Sequence, residues 1–156
     1  MINKVMKNNT ILLVDDEPGI RNVLKITLES SGYEVCLAPD GETGLKTFAR
    51  EKPCMVITDI KMPGIDGIEL LKRIKNLDPD TEVIMITGHG DMDMAVRSLQ
   101  YEAADFITKP IDRGELESAI KKARDRISIT QNIKNYMDDL ETLVEEKDKK
   151  LNESEK

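Results

Sequence analysis

The sequence predicts an α/β domain: a doubly wound, five-stranded parallel sheet with helices on both faces. Three observations predict it. Strand-like and helix-like segments alternate five times, as in consecutive βα units. The strand-like runs are continuously apolar, as in Ile11-Leu12-Leu13-Val14 and Val83-Ile84-Met85-Ile86, which suits strands covered on both sides. Four runs also end in a reactive polar residue: Asp15-Asp16, Asp59, Thr87 and Lys109. In a parallel sheet those ends lie along one edge, where such folds place their sites.

The elements follow in order. Residues 11–14 form the first strand. Glu17-Pro18 opens a helix, because Pro is tolerated in a first turn and acids suit the positive end of the helix dipole. Ile20, Val23, Leu24, Thr27 and Leu28 recur at helical spacing, and Ser30-Ser31-Gly32 stops the run. Tyr33 to Leu37 is the second strand. After the Asp40-Gly41 turn, Leu45, Phe48 and Ala49 form the stripe of a second helix. Pro53 precedes the third strand, 54–58, and the breaker-rich loop Lys61-Met62-Pro63-Gly64-Ile65-Asp66-Gly67 follows it. Ile68, Leu71, Ile74 and Leu77 mark the third helix, and Glu82 to Ile86 the fourth strand. Asp91 is placed to cap the fourth helix, with stripe Met94, Ala95, Leu99 and Ala103. Asp105 to Thr108 is the short fifth strand.

The last helix differs. No Gly or Pro follows Gly114, so a helix of about 40 residues is predicted from near Asp112, against a usual length of about 11–12. Leu116, Ile120 and Ala123 suit the sheet. Met137, Leu140, Val144, Lys147 and Leu151 alternate steps of three and four, a coiled-coil seam with Lys147 as a polar core position. The seam through Ile127 and Thr130 is out of phase with it, so a break is expected near Thr130 to Lys134. The expected organisation is a disordered tail over 1–9, one domain over 10–128, and a helical coiled-coil extension or linker over 129–156.

Of the 156 residues, 39% are hydrophobic and 34% charged, with a net charge of −7. That balance predicts a soluble protein whose own field does not attract nucleic acid. The polar first residues carry no signal peptide, and no apolar run approaches the roughly 20 residues of a membrane span. Cys36 and Cys54 lack zinc or CxxC spacing and read as buried thiols, which fits a cytoplasmic location.

The strand ends carry the chemistry. If Asp15, Asp16 and Asp59 lie within about 5 Å of one another, each pair repels by about 3 kcal/mol at an effective dielectric near 20. Such a site needs cations. Lys109 supplies one, and carboxylates with water suit Mg²⁺ or Mn²⁺ as the other. Asp59 follows the central strand and precedes a roomy loop, so it is the best nucleophile, its product an acyl phosphate. Lys109 would balance charge on the phosphoryl oxygens and Thr87 would donate a hydrogen bond to one. His89, the only histidine, reads as a surface residue beside Thr87.

This set of motifs resembles the receiver domain of bacterial two-component response regulators. The matching text is Ile11-Leu12-Leu13-Val14-Asp15-Asp16-Glu17, Thr58-Asp59-Ile60-Lys61-Met62-Pro63-Gly64-Ile65-Asp66-Gly67, Ile86-Thr87-Gly88-His89-Gly90 and Ala104-Asp105-Phe106-Ile107-Thr108-Lys109-Pro110. It covers roughly residues 9 to 128. The stretch from Gly88 to Val96 is most similar to receivers of the NtrC and FixJ type. The resemblance implies a flavodoxin-like (CheY-like) sheet in order 2-1-3-4-5. That order would separate the cysteine-bearing strands. It also implies a phosphoprotein in a phosphorelay: Asp59 would take a phosphoryl group from a sensor histidine kinase or phosphotransfer protein. Asp16, Asp59 and the carbonyl of Lys61 would ligate Mg²⁺, with Asp15 acting partly through water. The Lys109-Pro110 peptide would be cis. Thr87 and Phe106 would form the switch pair, acting on the surface of the fourth helix, fifth strand and fifth helix. Lys61 and His89 occupy positions that vary in the family and bias the rate of phosphate loss.

On this reading the chain is a switch and not a metabolic enzyme: it takes up phosphate in an Mg²⁺-dependent self-phosphorylation and loses it by autodephosphorylation. Residues 140–151 resemble signalling helices that join receivers to other domains. The expectation is the N-terminal part of a longer protein, homodimeric through its C-terminal helix. Two alternatives remain. A phosphohydrolase of the haloacid dehalogenase class would carry Asp-x-Asp after a strand, whereas Asp59 has Lys61 at that spacing. A non-phosphorylated interaction module would not need the intact acids, Thr87 and Lys109.

Overall fold

The computed structural model describes residues 9–88 and 90–154. Five strands, β1 (Thr10–Val14), β2 (Glu34–Ala38), β3 (Met55–Asp59), β4 (Glu82–Thr87) and β5 (Asp105–Thr108), form one parallel sheet in the order β2-β1-β3-β4-β5. The helices are α1 (Pro18–Ser30), α2 (Gly41–Glu51), α3 (Gly67–Leu77), α4 (Met92–Gln100) and α5 (Arg113–Ser154). The bounds of β5 are those read in the sequence, and those of β1 to β4 differ by a residue. The shift matters twice, since Asp59 and Thr87 close their strands instead of following them.

Alternation along each strand divides the core in two. Leu12, Val14, Val56, Val83 and Met85 meet α2, α3 and α4 through Phe48, Ile68, Leu70, Leu71, Ile74 and Ala95. Ile11, Leu13, Met55, Ile57, Ile84 and Ile86 meet α1 and α5 through Leu24, Leu28, Leu116, Ala119, Ile120 and Ala123. Strand order reverses between β1 and β3, so their carboxyl ends flank the crevice that doubly wound sheets use for ligands.

Helix faces are where the sequence reading needs correction. Val23 is exposed, because α1 docks along the line Ile20, Leu24, Leu28 and Val23 lies off it. Ala49 faces solvent, while Gly44 and Thr47 face inward. An added Cβ on Gly44 would meet Val14 at 3.0 Å, so α2 lies close on β1. Leu77, the last residue of α3, is exposed, and Leu70 is buried. In α4 Leu99 is exposed, and Ala95 and Ser98 form the buried face. Asn9, placed in the tail by sequence, accepts the Glu34 N–H through its carbonyl at 3.0 Å. The rest of the expected tail, residues 1–8, lies outside the described residues.

The expected break near Thr130 to Lys134 is absent: α5 runs unbroken for 42 residues. A change of phase moves the apolar stripe around the helix, and the backbone ladder does not depend on that stripe. No Gly or Pro interrupts the ladder there. Burial ends near Thr130, and every described residue from 131 to 151 is exposed. Arg126 donates to the buried Glu82 at 2.9 Å, and Lys134 reaches Asp80, so polar struts tie the helix to the lower edge of the sheet. Cys36 in β2 and Cys54 just before β3 are free thiols separated by β1. They are half-buried and not buried as the sequence reading has them, because each sits toward the edge of its core layer, and even this burial raises the pKa of both. Among the described residues no helix is long and apolar enough to cross a membrane.

Candidate functional site

The crevice is built from three strand ends. At the end of β1, Asp15 is fully buried. Its Oδ1 accepts the Glu17 N–H at 2.8 Å, and its carbonyl accepts Arg21 Nη1 at 2.6 Å, which pins the turn into α1. Asp16 and Glu17 are exposed at the rim. At the end of β3, the Asp59 side chain is almost buried. The chain turns tightly behind it: Gly67 donates its N–H to Ile60 O at 2.7 Å. A Cβ on Gly67 would sit 2.2 Å from the Asp59 carbonyl oxygen, so only glycine allows this approach. From the end of β5, Lys109 reaches across to Asp59 Oδ2 at 2.9 Å and Glu17 Oε1 at 3.1 Å. Its N–H donates to Thr87 O at 2.8 Å, and the Lys109-Pro110 peptide is cis.

Carboxylate oxygens of Asp15, Asp16, Glu17 and Asp59 all lie within 4.8 Å of one another. Burial raises the Asp15 carboxyl from 3.8 to about 6; the Glu17 N–H opposes the rise and the Asp59 charge adds to it. Burial also raises Asp59, outweighing the hydrogen bond and charge of Lys109. Burial works against the Lys109 charge, but its bonds to Asp59 and Glu17 prevail and its pKa is raised. Asp15 Oδ2 is buried with no hydrogen-bond partner. Lys109 Nζ passes it at 3.9 Å, close enough for attraction and too far for a hydrogen bond. A buried, partnerless carboxylate oxygen inside a four-carboxylate cluster fits a hard divalent cation with oxygen ligands.

The geometry brings Asp15, Asp16, Asp59 and Lys109 together. Thr87 stands apart from them: its buried hydroxyl donates to the carbonyls of Gly88 and Asp91, each at 3.3 Å. Phe106 is half-buried against the α2–α4 side of the core. Lys61 extends its side chain to Asp91 Oδ1 at 2.8 Å. Asp91 therefore does not cap α4 with its carboxylate. His89 lies outside the described residues. The sequence reading missed Glu17 as a fourth carboxylate and second partner of Lys109, having assigned it to the helix dipole. Its adjacency to Asp15-Asp16 was the available signal.

Fold and site together define a doubly wound α/β domain with a cation-receptive acidic crevice at its switch point. The sequence matches the response regulator receiver domain over residues 11–121, and the chain belongs to that family, the receivers of two-component systems. It is 40% identical over 117 residues to sporulation initiation phosphotransferase F of Bacillus subtilis (strain 168), covering 75% of this chain and 94% of that one. It is 41% identical over 113 residues to the transcriptional regulatory protein GlrR of Escherichia coli (strain K12), covering 72% of this chain. It spans only 26% of GlrR's length. A receiver domain protein from Clostridium thermocellum has a similar structure, with TM-score 0.72 and 34% identity, covering 80% of this chain and 98% of that one. The FixJ-N structure is similar at TM-score 0.68 and 34% identity, covering 74% and 93%.

Proposed function

We propose that Asp59 is the phosphoacceptor of this receiver and that the phosphoryl donor is a phosphohistidine on a sensor kinase or phosphotransfer protein. The observation that carries the reading is the pairing of Asp59 with Lys109 beside the orphaned Asp15 Oδ2. Asp15, Asp16, Asp59 and the Lys61 carbonyl would hold Mg²⁺ or Mn²⁺, which supplies positive charge to the phosphoryl oxygens. Asp59 attacks phosphorus, the bond to the donor imidazole breaks, and an acyl phosphate forms. Lys109 exchanges its bond to Asp59 Oδ2 for one to a phosphoryl oxygen. The Thr87 hydroxyl leaves the Gly88 and Asp91 carbonyls for another, and Phe106 repacks into the space it vacates. Autodephosphorylation by water resets the site.

Residues 10–128 are the receiver and 129–156 the extension. Exposed Met137, Leu140 and Val144 on α5 support a homodimer through that helix. The test is labelling with acetyl phosphate and Mg²⁺. The wild-type chain is expected to gain one base-labile, hydroxylamine-sensitive phosphoryl group and Asp59→Asn none; label persisting on a folded Asn variant would move the acceptor elsewhere.

A further inference from the structure

Asp91 holds two groups at once. Its main-chain carbonyl accepts the Thr87 hydroxyl at 3.3 Å, and its side chain accepts Lys61 Nζ at 2.8 Å. It occupies the N-cap of α4, where an Asp side chain ordinarily accepts a helix N–H. Here no such bond forms, because the carboxylate is turned to Lys61. Lys61 lies two residues beyond Asp59, so the pair joins the loop after the acceptor to the start of α4. The Lys61 side chain is 70% exposed and that of Asp91 11%. The ammonium end is open to water, which screens the pair, so it can break within the energy of a phosphoryl contact.

We propose that the Lys61–Asp91 ion pair is a latch: it fixes the start of α4 where the Asp91 carbonyl keeps the Thr87 hydroxyl out of the acidic crevice. Lys61 and Asp91 are positioning residues that act through Thr87. The proposal rests on Asp59 as phosphoacceptor. Opening the latch frees Asp91 to cap α4 and releases Thr87 toward the phosphoryl group. Losing the latch therefore favours the switched arrangement.

The test is beryllofluoride affinity in saturating Mg²⁺ for the wild type, Asp91→Asn, Lys61→Met, the double variant and Lys61→Arg. Each single loss is expected to tighten binding by up to about fivefold, the upper range of a pair screened by water at one end. The double variant should match a single one, because both remove the same interaction. Lys61→Arg, which keeps both the main-chain carbonyl and the pair, should tighten binding less than Lys61→Met does. Through-space electrostatics predicts otherwise: removing a negative charge near an anion tightens binding and removing a positive one weakens it. Opposite signs for Asp91→Asn and Lys61→Met, additive effects, or no change in either would overturn the latch. A wild-type chain that takes up no beryllofluoride would bring down the phosphoacceptor reading and the latch with it.

Discussion

Asp15→Asn should stabilise the metal-free protein, although it removes a site residue. Asp15 is fully buried, and its carboxyl is pushed from 3.8 to about 6. Below pH 3.8 it is protonated in both folded and unfolded chains and contributes nothing. As pH rises toward 6 the unfolded chain releases its proton first, so folding loses stability. Above 6 the loss is complete, and a rise from 3.8 to about 6 corresponds to about 3 kcal/mol. Asn keeps the oxygen that accepts the Glu17 N–H and puts an amide donor among the neighbouring carboxylates. Urea unfolding in EDTA should show the variant more stable by about 3 kcal/mol at pH 7.5, equivalent to roughly 10 °C in Tm, with the gain falling to about 0.5 kcal/mol at pH 4 and to nothing by about pH 3. Added Mg²⁺ should stabilise the wild type more than the variant and narrow the gap. A gain of equal size at pH 4 and 7.5, or a variant less stable than wild type at pH 7.5, would refute the burial argument.

Three other outcomes are expected. Gly67→Ala forces a Cβ against the Asp59 carbonyl oxygen at 2.2 Å; it should lower stability by about 1–3 kcal/mol and reduce acetyl-phosphate labelling, read by urea midpoint and label incorporation. Arg126→Met leaves buried Glu82 with only Lys75 at 3.7 Å. Because burial already raises the Glu82 pKa against both cations, the variant should lose about 1–2 kcal/mol at pH 7 and less at pH 4, where the carboxyl is protonated. A chain truncated after Lys134 should keep its unfolding free energy within about 0.5 kcal/mol, because the described residues beyond it are exposed, and should lose concentration-dependent self-association in sedimentation.

Much of the candidate site was legible in the sequence because parallel-sheet geometry turns a local pattern into a spatial one. A run of apolar residues ending in a polar one identifies a strand end, and all such ends in one sheet share an edge. Asp15, Asp16, Asp59 and Lys109 could be placed from that alone. Glu17 could not, because its pairing with Lys109 spans 92 positions of chain and competes with a local role at the helix start. The faces of α1 to α4 were legible only in part: periodicity finds an apolar stripe, and the position of the sheet decides which edge of the stripe it covers. Val23, Leu77 and Leu99 fell on the uncovered edge.

The sequence by itself determined the alternation of strand and helix, the residue at each strand end, and the length of α5, all set by short-range covalent order and backbone propensity. Tertiary structure alone decided which polar groups lose their water and which partners replace it. That is why Asp15 carries an orphaned oxygen, why Lys109 hydrogen-bonds two carboxylates, and why the Thr87 hydroxyl bonds to the Asp91 carbonyl. Desolvation and hydrogen-bond geometry depend on distances between residues far apart in the chain, and only the packed sheet sets those distances.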